Sequence, residues 1–105
     1  MRQAGILAAA GLVAIDEMAS RLSEDHLKAS RLADAFGQRW PDAVRYGGTN
    51  IVVCRHHDPQ AFLDYLREND VLAGTIAPQK LRMVTHFGVD DAGIEQACAA
   101  IATAP

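Results

Sequence analysis

Leu81-Arg82-Met83-Val84-Thr85-His86-Phe87 reads as a β-strand, and the rest of the fold is arranged around it. A side-chain period of two puts Leu81, Met83, Thr85 and Phe87 on one face and Arg82, Val84 and His86 on the other. The first set is suited to a core. The second presents an arginine from rigid backbone, which makes it an anion-binding group held at a fixed position and suited to a carboxylate. His86 lies on the same face as Arg82 but about 13 Å along the strand. That is too far for both to grip one small group.

Working outward, Asp90 is placed to cap a final helix. Val89 and Ile94 have the spacing of a hydrophobic staple, and Ile94, Ala97, Cys98 and Ile101 would face the sheet. Upstream, Pro78 sits in a turn that follows a short edge strand expected over Val71–Ile76. Asp58 and Pro59 form a cap and first-turn pair for a helix running to about Asn69, buried through Phe62, Leu63 and Leu66. Asn50–Arg55, with Ile51, Val52, Val53 and Cys54, is apolar on both faces and should be central in its sheet. Gly47-Gly48 marks the turn before it.

Arg2–Phe36 favours a long helix with a bend. Met18, Leu22, His26, Ala29, Ala33 and Phe36 recur at helical spacing, and Glu24 with Lys28 is a favourable i,i+4 pair. Gly37 is the expected C-cap, and Pro41 closes the region. Ala4–Ile15 has no polar side chain, so it needs cover on all sides, more than a small lone domain supplies. The expected fold is therefore α/β, a two-layer α+β arrangement. A small, mostly antiparallel sheet is covered by helices and preceded by a long N-terminal helix. Residues 1–37 form the linking helix and residues 38–105 the small domain.

Composition narrows the function. At 105 residues the chain is one domain at most. Ten basic against thirteen acidic residues give a net charge of −3, and the aromatic residues are scattered. This argues against a nucleic-acid binder or a membrane-surface protein. Cys54 and Cys98 have neither metal nor redox spacing, so two reduced thiols in a cytoplasmic protein are expected. Arg2 before the apolar run resembles the front of a signal peptide. The run, however, ends in Asp16-Glu17 without a small-x-small site, and it is too short for a bilayer span of about 20 residues.

The remaining chemistry-bearing residues are weak candidates. His56-His57-Asp58 invites a metal reading, but adjacent strand histidines point to opposite faces and no third ligand is evident. His26, near Glu24 and Asp25, lacks the spacing of a zinc-binding helix. Gly47-Gly48-Thr49-Asn50 lacks the strand-to-helix context of a phosphate loop. Lys28 on a solvated helix face and Lys80 in a turn lack the apolar surroundings that activate an amine. No nucleophile–base pair is present at readable spacing, so no catalytic or metal-binding residue is expected in this chain.

Met1–Leu12, Glu24-Asp25-His26 within Leu22–Leu32, Thr49-Asn50-Ile51-Val52 and Leu81–His86 together resemble the low-specificity L-threonine aldolases. These are pyridoxal phosphate (PLP)-dependent enzymes grouped with the β-eliminating lyases. The resemblance implies the small, C-terminal domain of a type I PLP fold, a fragment whose PLP-binding large domain lies outside the sequence. It implies cleavage of threonine to glycine and acetaldehyde in the complete enzyme, with PLP as electron sink. It also implies that the isolated chain neither holds the cofactor nor turns over. By the same resemblance Arg82 matches the arginine that holds the substrate carboxylate, and Arg2 matches an arginine near the cleft. Expected partners are the large domain, the amino-acid substrate and a second copy of the chain. Two alternatives stand beside this reading: a non-catalytic amino-acid-binding or dimerisation module, and the small domain of another PLP-dependent lyase.

Overall fold

The computed structural model describes residues 4–105. Arg2 lies outside them. Helix α1 (Ala4–Val13) runs through a π-helical stretch (Ala14–Met18) and a 3₁₀ turn (Ala19–Arg21) into α2 (Leu22–Arg39). The long helix expected from the sequence is thus interrupted by changes of helical pitch between Ala14 and Arg21, the kind of irregularity at which helices bend. No side chain of α1 is buried, and Ile6 is 72% exposed. The apolar helix that needed cover on all sides has none among the described residues.

From α2 onward the chain is packed. The buried stripe is Asp25, Lys28, Ala29, Leu32, Ala33 and Phe36, which follows the 3.6-residue period. Leu22 and His26, expected on that stripe, face outward. Gly37 does not cap the helix, which continues to Arg39 and stops at Trp40, just before Pro41. A boundary at residue 37 therefore falls inside α2.

Four strands form one antiparallel sheet in the order β1-β2-β4-β3: β1 (Val44–Tyr46), β2 (Ile51–Arg55), β3 (Gly74–Ala77) and β4 (Lys80–Val84). The expected α/β two-layer architecture is the one observed. β1 is a strand beyond those expected from the sequence, and it places β2 inside the sheet. The edge strand β3 starts three residues later than expected. The two-residue turn Pro78-Gln79 joins it to β4, with Gln79 at φ +62°.

Helices α2, α3 (Pro59–Glu68) and α4 (Asp91–Ala102) cover one face of the sheet. Val52 and Cys54 from β2 and Leu81 and Met83 from β4 point into the core with Phe36, Phe62, Leu66, Ile94 and Ile101. Both expected caps are present. Asp58 accepts from the Ala61 N–H (3.1 Å) with Pro59 opening α3, and Asp90 accepts from the Gly93 N–H (2.8 Å).

Cys98 turns toward α2 rather than the sheet, with its Sγ 3.7 Å from the Arg31 carbonyl. Among the described residues, no helix is long and apolar enough to cross a membrane.

Candidate functional site

The second face of the sheet carries no helix. Alternation along β4 buries Leu81 and Met83 and exposes Lys80, Arg82 and Val84, so Arg82 stands on this open face as the period of two requires. Strand register supplies its neighbours. Arg45, Val53, Arg82 and Gly74 lie in one cross-strand row, and Arg55 faces Lys80 in the next. Directly opposed residues project to the same side. The strand positions of the open face thus hold Arg45, Arg55, Lys80 and Arg82 beside Ile51, Val53 and Val84, and no carboxylate. A net charge of −3 concealed a basic surface.

Arg82 belongs to none of the ion pairs among the described residues, which engage Arg21 and Arg31. Its flanks are unequal. Val53 forms an apolar wall on one side, while Gly74 contributes no side chain on the other, and a Cβ there would meet nothing within 4 Å. A planar guanidinium with free space beside it can receive a carboxylate through two parallel N–H···O bonds.

The end of β4 is fastened by residues that sequence reasoning did not assign a role. Thr85 is 1% exposed, and its Oγ1 donates to the Asp25 carbonyl of α2 (2.6 Å). Its N–H donates to the Asn50 carbonyl (2.9 Å), and its own carbonyl accepts from Asn50 Nδ2 (2.8 Å). Two further contacts hold the segment after β4 to the same helical run. Lys28 Nζ donates to the Val89 carbonyl (2.6 Å), and the Arg21 guanidinium lies 4.8 Å from the Phe87 ring centroid. Arg21 also pairs with buried Asp25 (3.2 Å). Asn50 and Thr85 each fall in a motif that carries the family resemblance, and the two are hydrogen-bonded to one another.

Other candidates resolve differently. Lys28 is not on a solvated face: it is 9% exposed and its amine is tied to Val89, while Glu24 pairs with Arg21 instead. Lys80 is exposed at the start of β4. Lys28 Nζ is thus held by a backbone carbonyl, and Lys80 stands on the same open face as Arg82.

His56 and His57 do not point to opposite faces. They follow the end of β2, and their rings stack at 4.5 Å. Among the described residues, no group of three His, Cys, Asp or Glu side chains is arranged to hold a metal. His26 is exposed, and His86 bonds locally by accepting from the Gly88 N–H (2.9 Å). Gly47–Asn50 is a plain loop between β1 and β2, with Gly48 at φ +84°.

Both cysteines are free thiols. Burial pushes Cys54 up to about 12, and burial also raises Cys98, against the pull of nearby Arg31. Neither is poised as a nucleophile at neutral pH.

Fold and face together define a helix-backed antiparallel layer whose open face carries Arg82, an arginine in no ion pair among the described residues. Comparison with known proteins gives it a family. The family model described as Beta-eliminating lyase matches residues 1–58, and the chain belongs to that family.

The low specificity L-threonine aldolase of Escherichia coli strain K12 is 36% identical over 91 residues, covering 85% of this chain and 26% of the relative. Two Arabidopsis thaliana proteins are similar. A probable low-specificity L-threonine aldolase 2 is 34% identical over 102 residues (90% of this chain, 29% of the relative). Low-specificity L-threonine aldolase 1 is 31% identical over 96 residues (85% and 27%). The chain spans about a quarter of the length of these relatives.

Proposed function

We propose that this chain is the substrate-orienting part of a PLP-dependent L-threonine aldolase, and that Arg82 holds the α-carboxylate of the amino acid. The observation that carries the reading is Arg82 itself, unpaired among the described residues on the open face of β4, in a chain similar to threonine aldolases over most of its length. PLP, the group that accepts electrons when threonine is split into glycine and acetaldehyde, belongs to the remainder of the protein. The chain alone is therefore inactive.

Arg82 contributes orientation rather than proton transfer. A bidentate grip on the carboxylate fixes the rotation of the substrate, and with it the bond presented for cleavage. Leu81 and Met83, buried on either side of Arg82 in sequence, keep the strand from shifting. We assign residues 1–37 as the link to the rest of the protein, with Arg2 near the cleft, and residues 38–105 as the small domain, the two sharing α2, whose buried stripe packs into the core of that domain. The bare α1 is then a contact surface for that remainder or for a second copy of the chain, in the cytoplasm. A second reading, the same part of another PLP-dependent lyase, is favoured by the broader description of the matching family model.

The test is made in the intact protein. Charge-assisted bonds contribute about 2 to 3 kcal/mol in such a partly solvated pair, so Arg82→Ala should raise the KM for threonine roughly 30- to 150-fold. Arg82→Lys should recover part of the loss. Unchanged kinetics would refute the assignment of Arg82. Cleavage of threonine by the purified 105-residue chain would refute the division of labour.

A further inference from the structure

One titratable side chain is buried away from the basic face and has no part in the proposed function. His56 follows β2 and is 8% exposed. Its imidazole lies against the Phe62 ring (4.9 Å between centroids, 19° between planes) and against His57, while the Trp40 ring meets it edge-on at 5.1 Å and 82°. Nδ1 accepts the Asp58 N–H at 3.0 Å, a bond that only an unprotonated nitrogen can make. The ring proton therefore sits on Nε2, which is buried and has no partner among the described residues.

We propose that His56 is an acid-sensitive latch: when its imidazole takes up a proton, the ring leaves the Trp40–Phe62 cluster and frees the first turn of α3.

The geometry supplies the mechanism. A proton on Nδ1 sets an N–H against the Asp58 N–H and breaks the bond between them. The resulting cation would sit between rings with no acceptor at either nitrogen. Asp58 is also the cap of α3, through its carboxylate and the Ala61 N–H, so displacement at its backbone is felt at the helix end. Trp40 ends α2, so the cluster fastens the end of one helix to the start of another.

The surrounding charges are mixed. Arg55 and His57 approach from the end of β2, and Arg39 lies over the Trp40 ring at 4.9 Å. Asp42 lies across the adjoining cleft, Asp58 sits at the cap, and Tyr65 comes from α3. Burial lowers the His56 pKa from the ordinary imidazole value of 6.5, and His57 acts in the same direction. The Asp58 charge acts against them, and the face of Phe62 offers the cation a modest attraction. The net shift is downward. The folded form thus binds fewer protons than the unfolded chain just below pH 6.5, and the latch weakens as acid is added.

Trp40 is the single tryptophan of the sequence and touches the latch, so its emission reads the opening directly. On titration of the chain from pH 8 to about pH 4.5, the expected result is a reversible one-proton red shift with its midpoint below 6.5 and far-UV circular dichroism retained apart from the one turn of α3. His56→Asn, whose side-chain oxygen can accept the same i+2 N–H without titrating, should abolish the transition. His57→Asn should keep it and move the midpoint upward.

A transition that persists in His56→Asn, or one that coincides with far-UV loss larger than one helical turn, overturns the proposal. Nuclear magnetic resonance titration of the His56 ring in the wild-type chain decides the matter independently if His56→Asn does not fold. A ring pKa at or above 6.5, or one not mirrored by Trp40, would sink the latch.

Discussion

Replacing Thr85 with valine isolates one bond that holds β4, and hence Arg82, to the helical layer. The substitution keeps the volume and β-branching of a residue that is 1% exposed, and removes only the hydroxyl that donates to the Asp25 carbonyl at 2.6 Å. A neutral intramolecular hydrogen bond contributes about 0.5 to 1.5 kcal/mol net, and a buried acceptor that loses its donor adds to the cost. The Asp25 carbonyl lies within α2 and keeps its helical environment, so the penalty stays near the lower end of the combined range. We expect about 1 to 2 kcal/mol of destabilisation. In a domain of this size that corresponds to a fall in Tm of roughly 4 to 15 °C. Urea unfolding followed by circular dichroism is the assay. The midpoint should fall while the slope stays constant, because the surface exposed on unfolding is unchanged. A variant within about 0.3 kcal/mol of wild type would show that the Thr85 hydroxyl contributes nothing and that Asn50 alone holds the strand end.

Two further outcomes follow from the sheet. Gly74→Val places a side chain beside Arg82 on an edge strand where a Cβ meets nothing, so Tm should hold or rise, while KM for threonine in the intact protein should increase. A lowered Tm, or an unchanged KM, would refute the idea that Gly74 leaves room for the carboxylate. Cys54 bears on alkaline stability. With its thiol pushed up to about 12, the folded chain keeps a proton that the unfolded chain loses above its ordinary value near 9. Stability should therefore decline between about pH 9 and 12, with a slope of at most about 1.4 kcal/mol per pH unit from this group. Cys54→Ala should remove that part of the slope in denaturant titrations, and a variant with the wild-type slope would contradict the assignment.

The strands and caps that were legible in the sequence are those whose local chemistry and burial agree. β4 alternates because one face is core and the other open, and Asp58-Pro59 and Asp90 cap helices by short-range bonds that need no tertiary knowledge. β1 was not legible because Val44-Arg45-Tyr46 is too short to show a period, and only pairing with β2 makes it a strand. β2 looked covered on both faces, yet only Val52 and Cys54 are buried. Ile51 and Val53 face the open side, where apolar character reflects strand propensity and neighbouring arginines more than a core. The helical stripe was misphased at its start because Leu22 is apolar but exposed, whereas Asp25 and Lys28 are polar but buried. A hydrophobicity pattern cannot reveal that a carboxylate is buried through an arginine four residues earlier, or a lysine through a carbonyl sixty-one residues away. At the candidate site, the outward placement of Arg82 was legible from periodicity, whereas its proposed role rests on the family resemblance. Asn50 and Thr85 were visible only as motif residues, since their role exists only once β2 and β4 lie side by side.

The distribution of charge argues for an anion at the open face more strongly than any single residue does. The chain carries a net charge of −3, so a uniform spread would repel a carboxylate weakly at every point. Instead, four cations occupy strand positions on one face, and the acidic residues lie on helices and loops. Removing those four takes the rest of the chain from −3 to −7. Field lines from a cluster on a low-dielectric sheet are steepest directly above it, so an approaching anion is drawn by the local sign rather than the net one. Register makes the attraction directional: Arg45 and Arg82 flank Val53 in one row, about 10 Å apart across two strand spacings. That separation is too wide for one carboxylate to bridge, so under the proposed function a single arginine would make the contact and the others would strengthen the approach. Arg82 suits that proposal better than Arg45, because it stands on an inner strand with vacant space toward Gly74, whereas Arg45 lies on the sheet edge.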